Sequence, residues 1–269
     1  MPEETKENRY TVAATIDIGA EREVQEDFIK FTELDENTLL VVIADGAGSR
    51  GSDMQPASIV VHCISDLIKD KFDEDSEYFF EKPEFHLRDA MKSANLVLEG
   101  FKLGNEERFG GYAASVTCLL CAYRTVIRKG KEEMRDRIYV AHAGNTRLYM
   151  LRGGVLTQFT EDHTVAAEYL RKGEIDIESY HIHPARLTMT SGVGMYRDMQ
   201  IQSFGGNMQE NDILIMTTDG VHYAVRAEHI ARLVLEQATV DDAARALIEG
   251  AKSVGYTDNM TAAVIAVRK

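Results

Sequence analysis

Apolar residues along this chain fall into short runs, each closed within a few residues by polar or glycine-containing sequence: YTVAATIDIG, DFIKFTEL, TLLVVIAD, AASVTCLLCAYRTVI, DRIYVAHAG, TRLYMLRGG, VLTQFT, QIQSFGG, DILIMTTD and NMTAAVIAV. Runs this short, and this rich in β-branched and aromatic residues, predict strands. Most are followed by tight turns instead of helices, which predicts antiparallel meanders. Apolar spacing of three and four predicts helices in two pairs, at about 54 to 70 and 84 to 104, and again at about 226 to 237 and 240 to 253. Helices and strands gathered in separate blocks argue for a layered α+β fold and against a doubly wound parallel sheet. Between the first two helices, KDKFDEDSEYFFEKPEF carries enough charge that a solvated connecting loop is expected. No Pro, Gly or Ser linker, low-complexity tract or solenoid-spaced repeat marks an internal boundary. Residues 1–269 are therefore expected to form one domain, with a flexible N-terminus over residues 1–9.

Composition narrows the possible partners. An apolar content of 44% over 269 residues is enough to bury a real core. No stretch of about 20 apolar residues exists, and the opening MPEETKENRY lacks the apolar middle of a secretion signal, so a soluble cytoplasmic protein is expected. Lys and Arg total 30 against 44 Asp and Glu; the net charge of -14 disfavours nucleic acid and anionic membrane as partners and favours a cation. Three cysteines fit a reducing compartment better than a disulfide framework. Cys118 and Cys121 form a C-x-x-C, but inside a strand their side chains point to opposite faces. Two small core residues are expected there, not a metal or redox pair.

The chemistry lies in the carboxylates. VVIADGAGS delivers Asp45 at the end of an apolar run and follows it with Gly46; ILIMTTDGV repeats the device with Asp219 and Gly220. Glycine lets the backbone turn sharply and brings its carbonyl oxygen close to whatever the aspartate holds. VQEDF places Glu26 and Asp27 at the start of another strand, and GYTDNMTAAVIAV places Asp258 and Asn259 at the start of the last. Asp-Gly alone is a common turn dipeptide. Four acidic clusters at strand ends are a different matter: if those ends converge, a hard divalent cation is needed to offset the repulsion, and oxygen-only ligands suit Mg²⁺ or Mn²⁺ better than Zn²⁺.

REVQEDF, VVIADGAGS, GGYAASVTCLL, VAHAGNTRLYMLRGGVLTQFTEDHT, ILIMTTDGV and TDNMTAAVIAV occur in the order, and roughly at the spacings, of the motifs of the metal-dependent protein serine/threonine phosphatases, the PPM family or protein phosphatase type 2C. The chain resembles that family over about residues 10 to 268. The resemblance implies a four-layer αββα sandwich, two central antiparallel sheets flanked by helix pairs, with two Mn²⁺ or Mg²⁺ ions where the sheets meet. Carried over by position, it implies that Asp45 bridges the ions and Gly46 lends one its carbonyl. Asp219 and Asp258 would complete the other, Glu26 would act largely through a metal-bound water, and Asp27 would support the cluster from behind. Arg22, four residues before Glu26, matches the family's phosphate-binding arginine, and its planar fork suits a bidentate grip. The implied reaction is hydrolysis of phosphoserine or phosphothreonine in a protein by a hydroxide bridging the two ions, with no protein nucleophile and no phosphoenzyme.

Departures from the family pattern sharpen this reading. Ala47 stands where eukaryotic members carry a histidine that could protonate the leaving alcohol, so a bacterial-type enzyme is expected. Asn145 replaces the aspartate of the family's G-D-S-R motif, and Tyr223 replaces a second aspartate after the late Asp-Gly. Both positions help hold a third, weaker ion in the family, so that site is expected to be impaired. His163 is expected to orient a loop. His142 and His222 lie near motif residues and could supply the missing acid, and His181 and His183 fall where the family carries a variable flap. Satisfied structural histidines are the better expectation for all of them. Two other readings stand beside the phosphatase: a silent relative that binds phosphoproteins as a regulator, and a small-ester hydrolase of the haloacid dehalogenase type, disfavoured because TIDIG lacks the second aspartate such enzymes need. A phosphorylated protein is the expected partner, and a monomer the expected state.

Overall fold

Ten strands form where the apolar runs predict them in the computed structural model, which describes residues 8–48, 54–128 and 130–268. In chain order they are β1 (Tyr10–Asp17), β2 (Asp27–Asp35), β3 (Thr38–Ala47), β4 (Ala113–Arg128), β5 (Lys131–Ala143), β6 (Arg147–Arg152), β7 (Val155–Gln158), β8 (Gln202–Asn207), β9 (Ile213–Thr217) and β10 (Met260–Val267). They pair antiparallel into two five-stranded sheets, ordered β1-β10-β9-β6-β7 and β2-β3-β4-β5-β8. The strands read as unbroken apolar runs because both faces of each sheet are covered. Val41 and Ile43 face the other sheet, meeting Leu148, Met150, Leu214 and Met216 in the central core. Their neighbours Leu40, Val42 and Ala44 pack outward under helices. Successive strand residues point to opposite faces, so a strand buried on both sides has no polar period. The same geometry separates the cysteines. Cys118 lies on the helix-covered face and Cys121 between the sheets, both fully buried with thiol pKa values pushed up by burial.

Helices α1 (Pro56–Glu74), α2 (Ser76–Glu81), α3 (Pro83–Lys102) and α4 (Glu106–Phe109) follow β3, and α1 and α3 cover the outer face of the second sheet. Proline opens both long helices at a position where its missing N–H costs nothing. Helices α5 (Val165–Lys172) and α6 (Ile177–Ile182), with a 3₁₀ turn at Pro184–Leu187, form a small flap between β7 and β8. The one-turn α7 (Asp219–His222) leaves β9, and α8 (Ala227–Leu235) and α9 (Val240–Ser253) cover the outer face of the first sheet with Ile230, Val234, Leu247 and Ile248. Helix pair, sheet, sheet and helix pair make the four-layer αββα sandwich.

One local expectation is corrected. The charged stretch after the first helix is not a solvated loop: α1 runs on to Glu74, and α2 starts under an Asp75 cap that accepts from the Tyr78 N–H at 2.9 Å. Its Phe79 is fully buried against Phe72 and stacked on His86, worth roughly 2 kcal/mol in apolar area and hidden by its charged neighbours. At the edge of the terminal segment, residue 9 is in contact with the sheets. Arg9 grips Asp136 through Nε at 3.1 Å and Nη2 at 2.8 Å and lies over the Tyr123 ring at 4.3 Å. Residues 1–7 lie outside the described residues.

Candidate active site

One end of the two sheets carries the acidic clusters. Asp27 and Asp45 are directly opposite each other on β2 and β3, a cross-strand like-charge pair that opposes pairing unless something offsets it. From the other sheet, Asp219 opens α7 just past β9, and Asp258 lies just before β10, which pairs with β9. The close fit of this corner explains the glycines. A Cβ on Gly220 would lie 1.9 Å from the Asn259 carbonyl oxygen, and one on Gly46 would lie 2.8 Å from the Glu26 carbonyl oxygen, which already accepts the Gly46 N–H at 3.0 Å. Asn259 locks the loops behind them: its Oδ1 accepts the Glu26 N–H at 2.8 Å, and its Nδ2 donates to the Ile18 and Val24 carbonyls at 2.7 and 3.1 Å. The result is a cleft of about 990 Å³ whose walls include Arg22, Glu26, Asp45, Gly46, Asp219 and Asp258.

Asp27 belongs to the cluster without reaching that cleft. It is 4% exposed, its Oδ2 accepts from the hydroxyls of Thr218 and Thr261, both at 2.8 Å, and its Oδ1 is buried with no hydrogen-bond partner among the described residues. Burial, against the hydroxyl bonds, pushes its pKa up to about 7. Burial and the charge of Asp258 push Asp219 up to about 6. Asp45 is raised well above the carboxylate range by burial and by the charges of Asp219, Asp27 and Asp258, and is hydrogen-bonded to Asp219. Carboxylates crowded this way hold protons in common unless positive charge is brought among them. Arg22 supplies some at the edge, with Nε 2.7 Å from Asp258 Oδ1 and Nη2 2.8 Å from Oδ2. Among the described residues, no three His, Cys, Asp or Glu side chains stand as a preformed metal cage.

Residues 20–261 match the family model for protein phosphatase 2C. This chain belongs to the protein phosphatase 2C family. It is 25% identical over 249 residues to the serine/threonine phosphatase stp of Listeria monocytogenes, covering 93% of this chain and 92% of that one. The fold matches the crystal structure of serine/threonine phosphatase Stp1 from Staphylococcus aureus with a TM-score of 0.82 at 22% identity, covering 98% of this chain and 97% of that one. It also matches the catalytic domain of the serine/threonine protein phosphatase PstP, solved with two manganese ions, with a TM-score of 0.77 at 23% identity over 97% of this chain and 99% of that one.

The two departures in this phosphatase are built into its hydrogen bonding. Asn145 lines the cleft and donates its amide to Asp219 Oδ2 at 3.1 Å. Tyr223 does not line it; its hydroxyl donates to the Arg186 carbonyl of the flap at 2.9 Å, and its ring carries the guanidiniums of Arg186 at 4.9 Å and Arg147 at 5.5 Å. His142 is buried between Thr117, at 2.9 Å, and the Gly144 and Glu161 carbonyls, both at 3.1 Å; burial lowers its pKa to about 3. His163 orients the Gly144 loop, accepting its N–H at 3.2 Å. His183 caps the 3₁₀ turn by accepting the Ala185 N–H at 3.1 Å. His222 is buried against Thr217 and kept neutral by burial. Three further residues fix the site without standing out in the sequence: Ser115, whose Oγ accepts the N–H groups of Asn145 and Thr146 at 2.8 and 2.7 Å, and Thr218 and Thr261 behind Asp27. Their one signal was a small hydroxyl side chain inside an otherwise apolar run.

Proposed function

We propose that this chain is a single-domain, metal-dependent phosphatase that removes phosphate from phosphoserine and phosphothreonine in proteins of a bacterial cytoplasm, acting as a monomer. The observation that carries the reading is the convergence of Asp45, Asp219 and Asp258 from two sheets on one cleft beside Arg22. The donor set fits Mn²⁺ or Mg²⁺: it is all hard oxygen, burial and mutual charge raise the pKa values of Asp27, Asp45 and Asp219, and Asp27 Oδ1 is left without a partner among the described residues. Asp45, Gly46, Glu26, Asp219 and Asp258 would hold two such ions, with Asp27 behind them. When bound, the ions would neutralise this charge and that of the phosphoryl oxygens and lower the pKa of a water. The names of the Listeria phosphatase and of the manganese-bound PstP domain support the same chemistry.

The remaining work falls to the chain's own side chains. Arg22 presents a planar fork of donors at the cleft wall, and the reading has it exchange Asp258 for two oxygens of a phosphate. Asn145 holds Asp219 from the side, and Thr218 and Thr261 fix Asp27, so the cluster's orientation is set before any substrate arrives. A third ion is not supported by the donors at Asn145 and Tyr223, one a neutral amide and the other turned to the flap. No observation favours a silent phosphoprotein-binding relative, because the repulsive carboxylates are all retained. Hydrolysis of an aryl phosphate and a phosphothreonine peptide, with Mn²⁺, with Mg²⁺ and with chelator, tests the reading. Asp45→Asn is expected to lower turnover by several orders of magnitude, and Arg22→Ala to raise KM more than it lowers kcat. Near wild-type turnover by Asp45→Asn overturns the assignment.

A further inference from the structure

Most ion pairs on this acidic chain tie a cation down, as Arg9 to Asp136, Arg152 to Asp212 and Lys252 to Asp17. Among the cations outside that pairing, three share one place. Arg88 and Lys92, four apart on the outer side of α3, and Arg197, from the segment leading into β8, line a groove of about 350 Å³. All three are exposed, and none pairs through its side chain with a described residue. Asp198, the one acidic residue in the lining, makes no ion pair with them. Leu96, 62% exposed, gives the groove an apolar patch. Its far wall is fixed: buried Asn95 donates to the Tyr196 and Arg197 carbonyls at 3.1 and 3.5 Å and accepts the Gly194 N–H at 2.6 Å. A groove shaped in advance loses little freedom on binding.

We propose that this groove is a docking site for an acidic stretch of the phosphoprotein substrate, remote from the phosphorylated residue. The inference rests on the phosphatase reading and adds a substrate feature to it. Charge complementarity selects the occupant: three unpaired cations grouped in one groove on a chain of net charge -14 offer an acidic peptide a local attraction. Distance supplies the second constraint. The ten steps along α3 from Lys92 to Lys102 span about 15 Å, and α4 beyond them contributes Glu106 and Glu107 to the catalytic cleft. An extended peptide therefore needs at least about five residues between phosphate and acidic tract. The cleft itself also carries Glu21 and Glu23, so acidic residues flanking the phosphate meet repulsion while a distal tract meets attraction.

The test uses a fluorescein-labelled polyglutamate peptide without phosphate, read by anisotropy, and phosphothreonine peptides carrying the same tract either beside the phosphate or about eight residues away. Wild-type protein is expected to bind the label and to favour the distal tract in kcat/KM by about three- to tenfold at low ionic strength, the preference fading as salt is added. Arg88→Glu with Lys92→Glu, and separately Arg197→Glu, are expected to lose both effects while keeping wild-type melting temperature and aryl phosphate turnover. Unchanged binding in these variants, or a preference for the adjacent tract, overturns the groove. Displacement of the label by inorganic phosphate as readily as by the peptide assigns it to a small anion and overturns it equally. Binding lost in the variants of a protein that hydrolyses no phosphate ester would support the groove and sink the phosphatase reading; normal hydrolysis with no charge preference would do the reverse.

Discussion

Replacing Asp162 by Asn removes one charge from an ion pair that has no access to water. The side chains of Asp162 and Arg147 are 2% and 6% exposed, and the guanidinium meets the carboxylate through Nε at 2.8 Å and Nη2 at 2.7 Å. Tyr180 of the flap donates to the same carboxylate, and Gln158 adds a bond at 3.1 Å. Burial alone would raise the pKa of Asp162, but the charge and hydrogen bonds of Arg147 outweigh it and hold it at about 2. A folded-state pKa below the unfolded one contributes stability above the unfolded value, lost as pH falls toward about 2; at neutral pH the difference corresponds to roughly 2 kcal/mol. Stranding the buried guanidinium without its partner costs more, about 3–5 kcal/mol. Urea unfolding followed by far-UV circular dichroism at pH 7 should show the midpoint falling accordingly with an unchanged slope. Arg147→Met with Asp162→Leu should recover most of the loss, since an apolar pair needs no partner charge. A loss below about 1 kcal/mol for Asp162→Asn alone would refute the argument, because it would mean that water or another side chain already shares the charge.

Two further outcomes follow from groups near the site. His142 is neutral in the fold with its pKa lowered to about 3, so the unfolded chain binds its proton first as pH falls; its contribution to stability should drop between about pH 6.5 and 3 by up to about 1.4 kcal/mol per pH unit, and the difference in stability between wild type and His142→Gln should change with that slope in unfolding measured at several pH values. Asn145→Asp with Tyr223→Asp adds carboxylates beside Asp219 and frees Arg186, so the melting temperature in chelator should fall, while the Mn²⁺ concentration giving half-maximal rate should also fall; an unchanged metal dependence would show that these positions do not reach an ion.

Strands were legible because burial on both faces leaves the same mark at every position: Leu39 to Ala44 is apolar throughout, whichever sheet face each residue serves. Strand order was not. Nothing local tells β8 to pair with β5, or β10 to lie between β1 and β9; those neighbours are set by packing across more than forty residues of chain. Short helices escaped for a related reason. The helix α2 buries a single phenylalanine among charged residues, and α5 and α6 show themselves mainly through caps at Thr164 and Asp176. In the site, Asp45 and Asp219 announced themselves through the glycines that follow them. The retreat of Asp27 behind two threonines, and the turn of Tyr223 toward the flap, depend on contacts between distant segments and left no pattern to read.

Ala47 lines the cleft and has no proton to give a departing alkoxide. The histidines near the motifs do not replace it. Among the described residues no histidine lines the cleft; both ring nitrogens of His142 are occupied, and His222 lies buried beside Thr217 with its ring against Tyr223 at 4.8 Å. Both are kept uncharged by burial, which makes them poor donors at neutral pH. That leaves solvent in the open cleft, or a carboxyl of the cluster itself, to protonate the leaving oxygen. Solvent is no dedicated acid, and the raised carboxyls of the cluster would give up their protons once cations are brought among them, so the barrier depends on how well the leaving group bears its own charge. An aryl phosphate releases a phenolate and needs little help, whereas a phosphothreonine releases an alkoxide and needs a proton in the transition state. In a protein with this cleft, the chemical step on a peptide is therefore expected to be slower than on an aryl phosphate, and binding contacts away from the phosphate are where selectivity for a protein substrate can be built.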